Sequence, residues 1–362
     1  MRLGQVISEM GVGGAERVVV ELLRDGAERG DALGLLANPG RLDAEVATLP
    51  IERVALPTAR KAPDLVRAAA AARRFTRNFK PDILHAHNVR VAGLARVGSQ
   101  LAKPLSRPPV LATYHGVPLE EIDGAARVLR HADAVVCVSA GLLEQLAARG
   151  VPAERLSVIP NGVPDAPALS DARRAEIDAE LGLEPGAPVV AVIGRLAPQK
   201  AHDRFFRAAA LVKQTLPGAR FLVVGDGELR AELEAMVAEL GLTEQVRFTG
   251  IRDDVPELIG RTDLVVFSSI WEGLSIVALE ALAAGVPLVS TDVAGTRELL
   301  ATGAGLVVPH DDEELATAIT HLLGDPARRQ EMGAAGRALH AERFSTAQMA
   351  AAYRERYETL LR

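Results

Sequence analysis

The chain has 362 residues and a formal net charge of −6, too long for one ordinary core and too acidic for general nucleic-acid binding, so two domains and no nucleic-acid partner are expected. With 48% hydrophobic and 24% charged residues the composition is that of a globular protein, and no apolar run reaches the ~18 residues of a membrane span. The lone cysteine, Cys137 in Ala-Val-Val-Cys-Val, reads as a buried inert thiol, and residues 1–7 read as a first strand rather than a signal peptide; the cytoplasm is the expected location.

In chain order, short apolar strands alternate with amphipathic helices twice over. The first series predicts strands at 5–7, 83–86, 110–114, 134–138 and 156–159, with helices near 14–29, 64–79, 120–131 and 140–149. The second predicts strands at 188–193, 221–224, 246–249, 264–267 and 287–290, with helices near 202–214, 228–240, 255–260, 275–284 and 311–323. Buried β-branched runs joined by helical crossovers indicate parallel sheets, so the fold class is α/β, two Rossmann-like domains in tandem. The Pro-rich stretch 160–188, with a helical insert near 170–182, joins them. A last helix near 345–361 is expected to cross back, giving domains of 1–165 with 345–362, and 166–344.

Charge is unevenly spread. Residues 51–110 carry twelve Lys/Arg against three Asp/Glu. Within them, 64–80 reads as one amphipathic helix, with Leu65, Ala68, Ala72, Phe75 and Phe79 on one face and Arg67, Arg73, Arg74, Arg77 and Lys80 on the other. An ordinary solvated helix and a patch for anionic lipid headgroups, which would place the protein on the inner face of the cell membrane, both fit that pattern.

Several motifs fall at predicted strand ends. Gly11-Val12-Gly13-Gly14-Ala15-Glu16-Arg17 opens a helix, where glycines let a ligand approach the backbone beside the positive helix end. It is not a true G-x-G-x-x-G, and no acidic residue follows at the spacing a nicotinamide site needs. His85 and His87 lack a third ligand at metal-site spacing and read as structural, while His115 closes the strand 110–114. Gly194-Arg195-Leu196-Ala197-Pro198-Gln199-Lys200 sends two cations into one loop, which suits a diphosphate, Arg as a planar fork and Lys as a point charge.

The most informative stretch is Trp271-Glu272-Gly273-Leu274-Ser275-Ile276-Val277-Ala278-Leu279-Glu280. It places two carboxylates across a helix start with seven residues between them. Glu272 lies before the helix and Glu280 inside it, and the free N–H groups of the first turn lie between them, ready for a phosphate. Gly285 ends the helix. One ligand bearing a sugar, a diphosphate and a ribose would match an acid, an anion cradle and a second acid. No Asp-x-Asp occurs, so a metal-chelated diphosphate is not indicated.

Together these residues resemble the retaining glycosyltransferases of family 4, which have the GT-B fold of two Rossmann-like domains facing an interdomain cleft. The ordered set runs through Gly13-Gly14-Ala15-Glu16-Arg17, His85-Ala86-His87, Thr113-Tyr114-His115-Gly116, Val138-Ser139, residues 158–163, Gly194-Arg195 to Lys200, Val224-Gly225-Asp226-Gly227, and Glu272 to Glu280. The resemblance implies sugar transfer from a nucleotide-sugar donor, UDP- or GDP-linked, to a glycan, lipid-linked or small-molecule acceptor, with retained anomeric configuration and with no metal or other cofactor. It implies that Arg195 and Lys200 hold the diphosphate, Glu272 the donor sugar and Glu280 the ribose. Gly194, Leu274, Ser275 and Ile276 would surround the phosphates, with Ile251 and Arg252 beside the base, and Gly14 and His115 would face the donor from the first domain. Ala201 departs from the pattern by replacing the common glycine after the lysine, a change expected to tighten the 194–202 loop.

Two rivals remain: a sugar-nucleotide epimerase on the same fold, and a non-catalytic glycosyltransferase-like partner protein. An epimerase would make a new sugar nucleotide with no acceptor present. A non-catalytic copy has no need for Arg195, Lys200, Glu272 and Glu280 together.

Overall fold

The computed structural model describes residues 1–57, 62–102 and 107–362. The chain divides into two compact units, Met1–Gly162 with Thr346–Arg362, and Val163–Ser345.

The first unit is built on a parallel sheet of seven strands: β1 (Arg2–Glu9), β2 (Ala32–Asn38), β3 (Ile51–Val54), β4 (Ile83–Ala86), β5 (Val110–Tyr114), β6 (Ala134–Cys137) and β7 (Leu156–Val158), in the order β3-β2-β1-β4-β5-β6-β7. Gln5 pairs with Leu35 on one side and His85 on the other, and His85 in turn with Leu111. Sequence reasoning misses β2 and β3. Ala-Leu-Gly-Leu-Leu-Ala-Asn has no β-branched residue to mark β2, and β3 exposes Glu52 and Arg53 in a four-residue strand.

Helices α1 (Gly14–Glu28), α2 (Ala62–Phe79) and α3 (Val89–Ala102) flank this sheet. Ala68, Ala72, Phe75 and Phe79 of α2 are buried, and the rings of Phe75 and Phe79 stack 5.4 Å apart over Gly4 and Gly34. A Cβ on Gly98 of α3 would lie 2.5 Å from the Ala72 methyl carbon, so the missing side chain lets α2 and α3 touch. Leu65 corrects the expected apolar face. It is 46% exposed, as is Val66 at 71%, because the buried stripe begins only at Ala68. Arg67, Arg73, Arg74, Arg77 and Lys80 are all exposed. Arg60, Lys61 and Lys103, which add to the basic excess, lie outside the described residues.

The last helix, here α8 (Thr346–Leu361), belongs to the first unit. Buried Tyr357 holds its hydroxyl 2.7 Å from His85 Nδ1; Thr113 Oγ1 lies 2.7 Å from His85 Nε2 and 2.9 Å from the Tyr353 hydroxyl. Arg354 pairs with Asp31. Burial holds the His85 imidazole down at about 3, so it sits neutral between its partners.

The second unit has a parallel six-stranded sheet: β8 (Val189–Ile193), β9 (Arg220–Val224), β10 (Val246–Gly250), β11 (Leu264–Phe267), β12 (Leu288–Thr291) and β13 (Gly305–Val308), in the order β10-β9-β8-β11-β12-β13. Its helices include α4 (Asp171–Leu181), α5 (His202–Thr215), α6 (Ile276–Ala284) and α7 (Pro326–Arg343). Phe205, Phe206, Phe221, Leu264 and Ile319 fill the core on one side of the sheet. Strand β8 stands where the strand order reverses, with β9 on one side and β11 on the other. Open α/β sheets bind ligands beyond the carboxyl ends of the strands at such a point.

Replacing Tyr357 by Phe should leave His85 Nδ1 buried without its partner and destabilise the first unit by about 1–3 kcal/mol. Hydrogen exchange of β4 and β5 amides should quicken while β8 and β11 amides stay unchanged.

Candidate active site

The loop leaving β8 lies along the end of β9. Gly194 N–H donates to Val224 O at 2.9 Å and Leu196 N–H to Asp226 O at 3.0 Å. Fully buried Leu196 plugs the core beneath, while Arg195 is exposed and makes no ion pair among the described residues. Gly225 has φ +133°, and a Cβ there would sit 2.0 Å from Gly194 O. The loop ends at Ala201, which takes a left-handed φ of +45° at the head of α5. An L-residue in that conformation costs about 1–2 kcal/mol, a backbone cost that the sequence alone does not show. Next to it His202 is buried, its imidazole pushed down to about 4 by burial and then by the Lys200 charge.

The turn leaving β11 is stitched to this loop. Ser268 Oγ donates to Lys200 O at 2.8 Å, Ile270 N–H to Gln199 O at 2.8 Å, and Gln199 Nε2 to Trp271 O at 3.0 Å. Lys200 Nζ then meets Glu272 Oε1 at 2.5 Å, and Ser269 Oγ donates to the same oxygen at 2.6 Å. The two charged side chains are 19% and 7% exposed. Behind the turn, a Cβ on Gly295 would lie 1.6 Å from Gly273 O.

Helix α6 follows. Ser275 is its N-cap, but the hydroxyl makes no capping bond, and a backbone bond runs from Leu279 N–H to Ser275 O at 3.2 Å. The N–H groups of the first turn, from Ile276 onward, therefore have no acceptor within the helix and carry its positive end. Leu274 is buried and Ser275, Ile276 and Glu280 are half-buried; Gly285 closes the helix at φ +69°.

Beyond β10, Ile251 is 45% exposed. Arg252 is committed to carboxylates: it donates to Asp254 at 2.8 and 2.7 Å and also pairs with Glu180 of α4. Asp254 accepts from Arg173 as well, at 2.7 Å. The inserted helix α4 thus braces this loop, and the hydrogen bond from Arg252 heads the causes that hold Asp254 below the usual carboxylate range.

Gly14 and His115 lie in the first unit. Gly14 opens α1 after the N-cap Gly13, over which the Glu16 carboxylate folds. His115 follows β5; its Nε2 is buried without a hydrogen-bond partner among the described residues, and burial holds it neutral, down to about 4. The His87 ring packs 3.9 Å from His85 and 6.3 Å from His115, centroid to centroid, and His87 Nε2 lies 2.7 Å from Gln5 Oε1. Among the described residues no group of three or more His, Cys, Asp or Glu side chains could hold a metal ion, and no helix is long and apolar enough to cross a membrane. Sequence reasoning gave no role to Ser269 or Gln199; Gly225 entered only as part of the ordered motif set, and Gly295 only as a departure from a common Gly-Gly pair that bears on sugar selection.

Residues 173–339 match the family described as glycosyl transferases group 1, and residues 12–166 match glycosyltransferase family 4. A GDP-mannose-dependent alpha-mannosyltransferase of Mycobacterium tuberculosis (strain CDC 1551 / Oshkosh) is 30% identical over 84% of this chain and 77% of its own length. The chain belongs to glycosyltransferase family 4. This family 4 chain is also 36% identical to a D-inositol 3-phosphate glycosyltransferase of Nocardia farcinica (strain IFM 10152), over 67% of this chain but only 56% of that relative's length. Its fold is that of Anabaena HepE, solved in complex with UDP and glucose, at a TM-score of 0.85 with 22% identity and 99% of each chain covered.

Gly225→Ala and Gly295→Ala should each force backbone apart behind one half of the site. Each should lower the stability of the second unit by about 1–3 kcal/mol, seen as an earlier unfolding transition in urea.

Proposed function

We propose that the protein is a metal-independent, retaining hexosyltransferase. It takes a UDP- or GDP-sugar and glycosylates a glycan, lipid-linked or small-molecule acceptor in cell-envelope polysaccharide or glycolipid synthesis. One observation carries the reading: Lys200 and Glu272 meet at 2.5 Å on loops from adjacent strands, beside exposed Arg195 and the open end of α6. Glycosyl transfer builds negative charge on the departing phosphate and positive charge on the sugar. Cations and helix N–H groups already fixed at the phosphate stabilise that change without reorganising. Arg195, Lys200 and the N–H groups of Leu274, Ser275 and Ile276 take the diphosphate beside Gly194. Glu280 takes the ribose, Glu272 the sugar hydroxyls, and exposed Ile251 offers the base an apolar face. Arg252, held by two carboxylates, serves to shape that wall. GDP-mannose in the name of one relative, and the UDP and glucose bound to HepE, support a nucleotide-sugar substrate of either base.

The test is a panel of UDP-, GDP- and ADP-sugars assayed for product anomer with EDTA present. Turnover should survive EDTA, and Arg195→Ala or Lys200→Ala should cut it at least ~10²-fold, since each removes a contact that strengthens as the phosphate leaves. Loss with EDTA restored by Mg²⁺, or full turnover in both variants, would refute the reading. A new sugar nucleotide formed without acceptor would establish an epimerase instead.

We propose further that the protein works in the cytoplasm and touches the inner face of the membrane through α2. Support comes from exposed Arg67, Arg73, Arg74, Arg77 and Lys80, with Leu65 and Val66 exposed on the same helix and Val97 and Leu101 on its neighbour α3. Co-sedimentation with anionic but not neutral liposomes is expected. It should be lost in 1 M salt, where the Debye length falls to ~3 Å, and in an Arg73/Arg74/Arg77 charge-neutralised variant.

A further inference from the structure

We infer that Glu272 is an internal counter-ion that competes with the nucleotide phosphate for Lys200, and so loosens the nucleoside diphosphate once the sugar has left. The inference rests on the donor reading above. Two cations serve the diphosphate there, and they differ in kind. Arg195 is exposed with no ion pair among the described residues, whereas Lys200 is already engaged. Its ammonium lies 2.5 Å from Glu272 Oε1, in a contact only 19% and 7% exposed, where water screens little.

The carboxylate is not free to swing away. Ser269, 1% exposed, donates to the same Oε1 at 2.6 Å, and Thr291 Oγ1 fixes the Ser269 carbonyl at 2.8 Å. The lysine is held on its side too, by Ser268 Oγ on its carbonyl at 2.8 Å. A phosphate therefore meets a cation whose charge is partly cancelled. While a donor sugar is present its hydroxyls hydrogen-bond Glu272 and draw on that carboxylate, so Lys200 gives more to the phosphate. When the sugar departs, the whole carboxylate returns to Lys200, and the diphosphate loses grip at the step where release is needed. Glu272 in this role favours donor over product through one shared cation.

The test is calorimetric titration of UDP and GDP into wild type, Glu272→Gln, Lys200→Gln and the double variant, each first shown to be folded by its melting curve. Glu272→Gln keeps shape and loses charge. It should bind the preferred diphosphate about tenfold more tightly (about 1.4 kcal/mol), even as its turnover falls. In the Lys200→Gln background the same change should add nothing. Equal or weaker binding by Glu272→Gln overturns the inference. So does tightening that persists without Lys200, which would make Glu272 a direct repeller of phosphate. If wild type binds neither UDP nor GDP, the donor reading itself fails and this inference with it.

Discussion

The pairing of β8 with β11 is the constraint on which the candidate site depends. Parallel neighbours deliver their carboxyl ends to the same edge of a sheet. Here Leu264 lies opposite Val190 and Val265 opposite Ala191, so the loops that follow leave side by side. Lys200 and Glu272 meet because of that register, although they are 72 positions apart. The backbone then locks what the sheet brings together: serine and glutamine side chains fasten one loop to the other, and two glycines behind them admit carbonyls where any Cβ would collide. A site fixed in this way presents its dipoles and charges before a ligand arrives, which is the condition for electrostatic catalysis.

The two units put their most prominent polar clusters to different uses. The first buries His85, His87, Tyr353 and Tyr357 and keeps them uncharged; desolvation lowers both imidazoles and raises both phenols. Its polar interior fastens a helix through directional hydrogen bonds, a use suited to neutral groups at low dielectric. The second keeps full charges near its strand ends and pairs many of them, as in the Arg173, Arg252, Asp254 and Glu180 cluster. Arg195 stands apart from that habit.

Much of the architecture was legible because buried parallel strands spell themselves in β-branched runs: Val-Val-Ala-Val-Ile for β8 and Leu-Val-Val-Phe for β11. Strand β2 was not, since Leu and Ala do not separate strand from helix, and neither were β13 and helices α3 and α7. Leu65 failed because periodicity gives the face of a helix but not how far the neighbours extend along it. In the site, the carboxylates and cations could be named from their positions at strand ends. Their ion pair could not, nor could Ser269, whose value lies only in which oxygen its hydroxyl reaches. Arg252, which the family resemblance puts beside the base, is paired with Glu180 from an inserted helix, a contact that no pattern in the sequence announces.

The place of α8 has a consequence for how the protein comes to be. Its residues follow the whole second unit in the chain, yet they complete the polar interior of the first. During synthesis, which runs at ~5–20 residues per second, the second unit can finish folding while the first still lacks the partners of His85 and Thr113. The half of the molecule made first can therefore be the half finished last, its seven strands complete but His85 Nδ1 and Thr113 without their tyrosine partners until Tyr353 and Tyr357 emerge. A rearranged gene that placed residues 346–361 ahead of residue 1 would reverse that order of birth.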